Sequence, residues 1–129
     1  MPSYYDPNTG PVPKDWLLLD EADRIFQAEK YHKKRGIRLP NTKAHATFHV
    51  IVENQIAEGE VAVIRAMDRL IGQGLDRHDS IHAVCWVLSQ HIYEQMNADT
   101  PDSREVVNSG YLAAVERLSA DDWRNQELK

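Results

Sequence analysis

The sequence predicts an all-α protein, an up-down helical bundle of four to five helices preceded by an extended proline-rich N-terminal arm. Two observations support this prediction. Apolar residues recur at intervals of three and four through most of the chain, which is the spacing of one face of a helix. No run of alternating β-branched residues bounded by turn residues occurs, so we expect no sheet. Helices joined by short connections pack antiparallel to their neighbours, which favours the up-down order.

The chain divides into an arm and one helical domain. Residues 1–14 contain four prolines and predict an extended arm. Residues 15–129 predict a single helical-bundle domain, because a chain of 129 residues forms one core. The first helix is expected at about 16–35, where a cluster of cations immediately before Gly36 is typical of a helix end.

Four further helices are predicted, at about 42–58, 60–72, 76–96 and 102–118. Asp76 is a candidate N-cap for the 76–96 helix, and Asp102 with Glu105 resembles a capping box. The Asn108-Ser109-Gly110 stretch is a candidate interruption of the last of these helices. Ser119 is a candidate cap for a short terminal turn.

Composition and charge narrow the class of protein. The net charge is −5 and the pI is near 5.6, so nucleic acid is not expected as a partner. No apolar run approaches the roughly 20 residues of a membrane span, and no secretory signal is visible, so we expect no membrane partner and a cytoplasmic location. The single cysteine suits a reducing compartment. The sequence leaves open a homo-oligomer and the identity of any protein partner.

Histidines form the one pattern that points to chemistry. Five of the six occur as His32, a His45-x-x-x-His49 pair and a His78-x-x-x-His82 pair. Residues four apart project from one face of a helix, so each pair can direct two imidazoles to one place.

The predicted topology brings these pairs together. Both pairs lie in the first two turns of their helices, which are expected to run parallel, and His32 lies in the last turn of the helix that runs against them. We therefore expect His45, His49, His78 and His82 to converge at one end of the bundle. Glu53 and His32 should lie at the margin of this group. His91 should lie outside it, about 20 Å from His78 along its helix at 1.5 Å per residue.

Three interpretations of this cluster remain open. The first is a transition-metal site with ligands from His45, His49, His78, His82, Glu53 and His32. Zn²⁺ or non-haem iron would suit such imidazole and carboxylate ligands. The second is a structural hydrogen-bond network that fixes helix register, and the third is proton-transfer chemistry without a metal. A zincin-type peptidase is unsupported, because the residues between His45 and His49 include no glutamate.

Other candidates favour structural roles. Cys85 lies one turn after His82 on an apolar helix face, where an inert buried thiol is the commoner case. A basic cluster over residues 30–38 is typical of a solvated helix C-terminus, although a phosphate or nucleic-acid site is the alternative.

The two histidine blocks also carry a family resemblance. The stretches His45-Ala46-x-x-His49-Val50-Ile51-Val52-Glu53-Asn54-Gln55 and Gly74-Leu75-x-Arg77-His78-Asp79-x-Ile81-His82-Ala83 are specific in their pattern. Over about residues 16–97 the chain resembles a bacterial family of small proteins classed only as a domain of unknown function. The resemblance implies an all-helical fold and assigns no activity.

Two functions follow from the sequence. The leading hypothesis is a small helical-bundle protein with a histidine-rich transition-metal site at one end. If that site is catalytic, metal-assisted hydrolysis or redox chemistry is the expected class. The alternative is a non-enzymatic interaction or regulatory module, in which the clustered histidines form a structural hydrogen-bond network. Whether the protein is an enzyme is left open.

Overall fold

The computed structural model describes residues 5–34, 42–100 and 102–127, and the regular elements in these ranges are all helices. They are α1 (Pro13–Leu17), α2 (Glu21–Lys34), α3 (Thr42–Ala57), α4 (Val61–Gly72), α5 (Arg77–Met96), α6 (Arg104–Arg117) and α7 (Ala120–Glu127). The all-α prediction is confirmed, but the described residues form seven helices and not the four to five predicted. None of the described helices is both long enough and apolar enough to cross a membrane.

The first predicted helix is two helices in the structure. The backbone after α1 tightens, with Leu18 N–H donating to the Asp15 carbonyl and Leu19 N–H to that of Trp16. The second helix, α2, then begins at Glu21 with two acidic residues in its first turn, where they complement the helix dipole. The apolar Leu18 and Leu19 continue the helical spacing through this break, which is why the pattern alone did not separate the two helices. The predicted stop at Gly36 lies outside the described residues.

The described part of the predicted arm folds back on the domain. Gly10 N–H donates to the Asp6 carbonyl at 2.8 Å, which closes a turn, and α1 already begins at Pro13. The side chains of Tyr5 and Pro7 are buried. Residues 5–10, here called the N-terminal strap, therefore contribute side chains to the interior.

The predicted caps agree with the structure at two of three helices. The Asp76 carboxylate accepts from the backbone N–H of Asp79 at 2.7 Å and caps α5. The Ser119 hydroxyl accepts from Asp122 N–H and caps α7. The cap of α6 is Ser103, whose hydroxyl accepts from Val106 N–H, and not Asp102.

The predicted interruption of α6 at residues 108–110 is wrong. This helix runs unbroken from Arg104 to Arg117, because its buried Tyr111 and Val115 anchor the following turns against the core. Gly110 faces His91 of α5, where a Cβ would still find room at 3.8 Å.

Helix α3 is the central element, since it packs against α1, α2, α4 and α5. Its first two turns face the first two turns of α5, and Gln55 near its end faces the same cavity as Leu88 and His91 farther along α5. The relative direction of α3 and α5 stays a prediction. The up-down order of the whole chain stays a prediction. The main apolar core forms between α3, α4, α5 and α6, and a smaller one surrounds Tyr5 and Trp16.

Candidate metal centre

Three imidazole nitrogens meet between α3 and α5. His82 Nε2 lies 3.0 Å from His45 Nε2 and 2.9 Å from His49 Nε2. The three ring centroids form a nearly equilateral triangle with sides of 4.8, 4.8 and 4.9 Å. His49 is fully buried, whereas His45 and His82 are partly exposed. The group thus spans from the interior to the surface at one end of the two helices.

The spacing of these nitrogens is compatible with a shared ion. Two nitrogens bound at about 2.0–2.1 Å to one metal lie about 2.9–3.4 Å apart for bond angles between about 90° and 110°. The His45–His82 and His49–His82 nitrogen separations, 3.0 and 2.9 Å, fall in that range. All three potential ligand atoms lie within 4.8 Å of one another. In the described part of the chain, His45, His49 and His82 are the group of side chains arranged closely enough to hold a metal ion.

His78 borders this group. Its ring centroid lies 4.3 Å from that of His82 and 5.1 Å from that of His49. Its backbone N–H, at the start of α5, donates to the side-chain oxygen of Asn8 in the N-terminal strap. Each of the four histidines in the two predicted pairs therefore contacts the rings of at least two of the others.

The remaining predicted residues have different positions. The side chain of His32 lies outside the described residues. His91 lies farther along α5, where its Nδ1 donates to the Val87 carbonyl at 3.0 Å and its ring contacts Tyr111. Glu53 lies one turn after His49 on α3, but its two carboxylate oxygens accept from Arg77 and Tyr5.

Glu53 and Arg77 form a buried, two-pronged ion pair. Arg77 Nη2 and Nη1 donate to Glu53 Oε1 and Oε2 at 2.7 and 2.8 Å, and the Glu53 side chain is 1% exposed. Burial by itself would lower the pKa of Arg77, but the hydrogen bonds and charge of Glu53 outweigh it and raise that pKa. Arg77 is therefore a permanent cation directly beside His78.

Tyr5 connects this ion pair to the histidines. Its hydroxyl donates to Glu53 Oε2 at 2.6 Å and lies 3.1 Å from His49 Nδ1. Burial, followed by the negative charge of Glu53, raises the pKa of Tyr5 well above its ordinary value. Tyr5 is consequently a neutral phenol with one proton to donate.

Sequence reasoning missed Tyr5 and Arg77. Arg77 directly precedes His78 in a block already singled out, so its position was a usable signal. Tyr5 had none, because it lies 44 residues from His49 in a proline-rich stretch. Cys85, in contrast, is buried one turn after His82, and burial raises the pKa of its thiol, which favours the inert interpretation.

Comparison of the chain with protein-family models, with curated proteins and with solved structures finds no match. The similarity to a bacterial all-helical family therefore stays a prediction. The arrangement of the histidines and their partners is the basis for the functional argument.

Proposed function

We propose that this protein binds one transition-metal ion through the Nε2 atoms of His45, His49 and His82. The observation that carries the proposal is the pair of short contacts that converge on a single atom, His82 Nε2, at 2.9 and 3.0 Å. A metal ion placed among the three nitrogens would accept a lone pair from each of them.

Proton counting supports this reading over a network of neutral imidazoles. An imidazole nitrogen offers either one N–H or one lone pair in the ring plane. His82 Nε2 must therefore use one proton, or one lone pair, for two neighbours in different directions. A single hydrogen bond of good geometry serves one of these contacts well and the other poorly. A cation serves both equally.

The ligand set indicates which metals to test. Imidazole nitrogens suit zinc and non-haem iron, and three protein ligands leave at least one coordination position for water or substrate. A metal held in this way can lower the pKa of bound water, which is the basis of metal-assisted hydrolysis. The ring of His78 contacts the rings of His49 and His82, so His78 would border that open position. His32 remains a predicted additional ligand. A cytoplasmic location is part of the same proposal.

The test is metal binding by protein purified without a polyhistidine tag. We expect about one equivalent of zinc per chain in elemental analysis after zinc supplementation and desalting. His82→Ala should abolish retention, because it removes the nitrogen common to both short contacts. His91→Ala is the matched control on the same helix and should retain the metal, because its ring lies against Tyr111.

Failure to retain zinc or iron in the wild-type protein would contradict the proposal. The competing function, a non-enzymatic interaction or regulatory module with a structural histidine network, would then be favoured. In that case His82→Ala should lower the free energy of unfolding of the protein without any change in metal content.

A further inference from the structure

We infer that Tyr5, Glu53 and Arg77 are positioning residues of the metal centre, which hold His49 in the tautomer that presents a bare Nε2 lone pair to His45 and His82. This inference rests on the proposed function. It assigns a purpose to two buried polar residues of α3, His49 and Glu53, which are 0% and 1% exposed.

Arg77 determines the charge state of Glu53. Its guanidinium makes two hydrogen bonds to Glu53 and carries a positive charge, so Glu53 is held as a carboxylate that can only accept. The same guanidinium donates to the backbone carbonyl of Pro7 at 2.8 Å. Arg77 thereby ties Glu53 and the N-terminal strap to the first residue of α5.

The hydroxyl proton of Tyr5 is donated to Glu53. Because Glu53 has no proton to give, the 2.6 Å contact must be a hydrogen bond from the Tyr5 hydroxyl to Glu53 Oε2. The phenol has one proton, so it has none left for His49 Nδ1, 3.1 Å away. The Tyr5 oxygen therefore accepts from His49, and Nδ1 carries the hydrogen.

The tautomer of His49 follows. A neutral imidazole with its proton on Nδ1 has a lone pair on Nε2. That atom faces His82 Nε2 at 2.9 Å. Metal-bound histidines commonly donate their second ring nitrogen to an outer group that fixes the ring orientation and raises the basicity of the ligand. The chain Arg77, Glu53, Tyr5 and His49 has this form.

The donor oxygen comes from outside the helices. Tyr5 belongs to the N-terminal strap, which Arg77 holds at Pro7 and which Asn8 fixes to the first turn of α5. Gly10, with φ of +77°, leaves the space that the Arg77 guanidinium occupies; a Cβ there would lie 2.6 Å from Arg77 Cζ. The tautomer of His49 therefore depends on the packing of the N-terminal strap against α5.

The first test reads the tautomer directly in metal-free protein. Long-range ¹⁵N–¹H correlation spectra distinguish a protonated Nδ1 from a protonated Nε2. In the wild type, His49 should carry its proton on Nδ1. Tyr5→Phe keeps the ring but removes the oxygen, and should give a mixture of tautomers. Tyr111→Phe removes the hydroxyl of another buried tyrosine, bonded to Gln55, and should leave His49 unchanged. A proton on Nε2 of His49 in the wild type would overturn the inference.

The second test measures zinc affinity by competition with a chelator. Tyr5→Phe should weaken binding about 10- to 100-fold, the usual effect of removing an outer-shell partner, and Tyr111→Phe should match the wild type. Equal affinity of Tyr5→Phe and wild type would refute the positioning role while leaving the metal site intact. No zinc binding by the wild type would instead refute the proposed function and, with it, this role. The two failures are therefore distinguishable.

Discussion

At the scale of single residues, the distinctive feature of the site is the buried ion pair between Glu53 and Arg77. Glu53 lies almost entirely out of solvent, and a carboxylate in that position is tolerated only because two guanidinium nitrogens and a phenol compensate it. The pair connects the strap, the start of α5 and the part of α3 one turn after His49. The Glu53–Arg77 pair should therefore contribute more to the free energy of unfolding than a surface ion pair does.

Arg77→Ala tests this directly. Removing the cation leaves Glu53 buried without its charge partner, which typically costs about 3–5 kcal/mol of unfolding free energy. The control is Arg65→Ala, because Arg65 pairs with Glu116 at 3.7 Å while 67% exposed, and such pairs are worth about 0–1 kcal/mol. Urea unfolding of the two variants measures the difference. Losses of equal size would show that Glu53 does not depend on Arg77.

Residue spacing made part of the site predictable. The four-residue interval of each histidine pair, together with helix placement, predicted that His45, His49, His78 and His82 converge. In the structure, the nitrogens of three of them, His45, His49 and His82, meet. The partners of Glu53 were not predictable in this way, since Tyr5 and Arg77 reach it across 48 and 24 residues of chain. A lone carboxylate near histidines suggested a ligand, whereas an arginine from α5 and a phenol from the strap occupy its oxygens.

At the scale of helices, the clearest amphipathic element is α4. Its inward face carries Val63, Ala66, Met67 and Leu70, and all four side chains are buried in the main core. The adjacent residue on the outer face, Ile71, is 45% exposed, whereas Leu70 is 0% exposed. Because Leu70 and Ile71 are adjacent and similar in size, truncating each of them isolates the effect of burial on stability.

Leu70→Ala should lower the unfolding free energy by about 2–5 kcal/mol, through lost transfer energy and the cavity left behind. Ile71→Ala should change it by less than about 1 kcal/mol, because much of that side chain is already in water. Chemical denaturation of both variants provides the comparison. A similar loss at the two positions would contradict the orientation of α4 in which Leu70 faces the core and Ile71 faces outward.

The helix predictions were correct where capping residues marked the start of a helix. They were wrong where the burial of side chains overrode the local sequence pattern. Asp76 and Ser119 cap α5 and α7 as their sequence context indicates. At α6, the turn-forming stretch 108–110 was overridden by burial of Tyr111 immediately after it. At α2, Phe26 fits the apolar spacing but is 63% exposed in the structure, so periodicity alone overestimated the buried face of this helix.

At the scale of the whole molecule, buried acids that must remain neutral should limit stability in alkali. Burial raises the pKa of Cys85, and burial followed by the nearby thiol raises that of Tyr111. A pKa that is higher in the folded than in the unfolded state contributes stability that is fully present below the unfolded value. That stability is lost as the pH rises toward the folded value.

The contribution of these two groups to the unfolding free energy should therefore be constant up to about pH 8.5, the ordinary thiol value. It should fall progressively above that pH, and again above about pH 10 for the phenol. Denaturant unfolding between pH 8 and 11 measures this slope. Cys85→Ala should remove the earlier part of the decline and Tyr111→Phe should reduce the later part. A wild-type stability that is constant over this interval would contradict the burial of both groups.

The central claim is that three nitrogens on two helices bind one metal ion, and its most direct measurement is anomalous diffraction. Crystals of the tag-free protein grown with zinc should show, at the zinc absorption edge, one strong peak about 2.0–2.1 Å from the Nε2 atoms of His45, His49 and His82. His82→Ala crystals grown in the same way should lack it. A peak at His91 or at surface carboxylates alone, or no peak among the three histidines, would contradict the proposed metal centre.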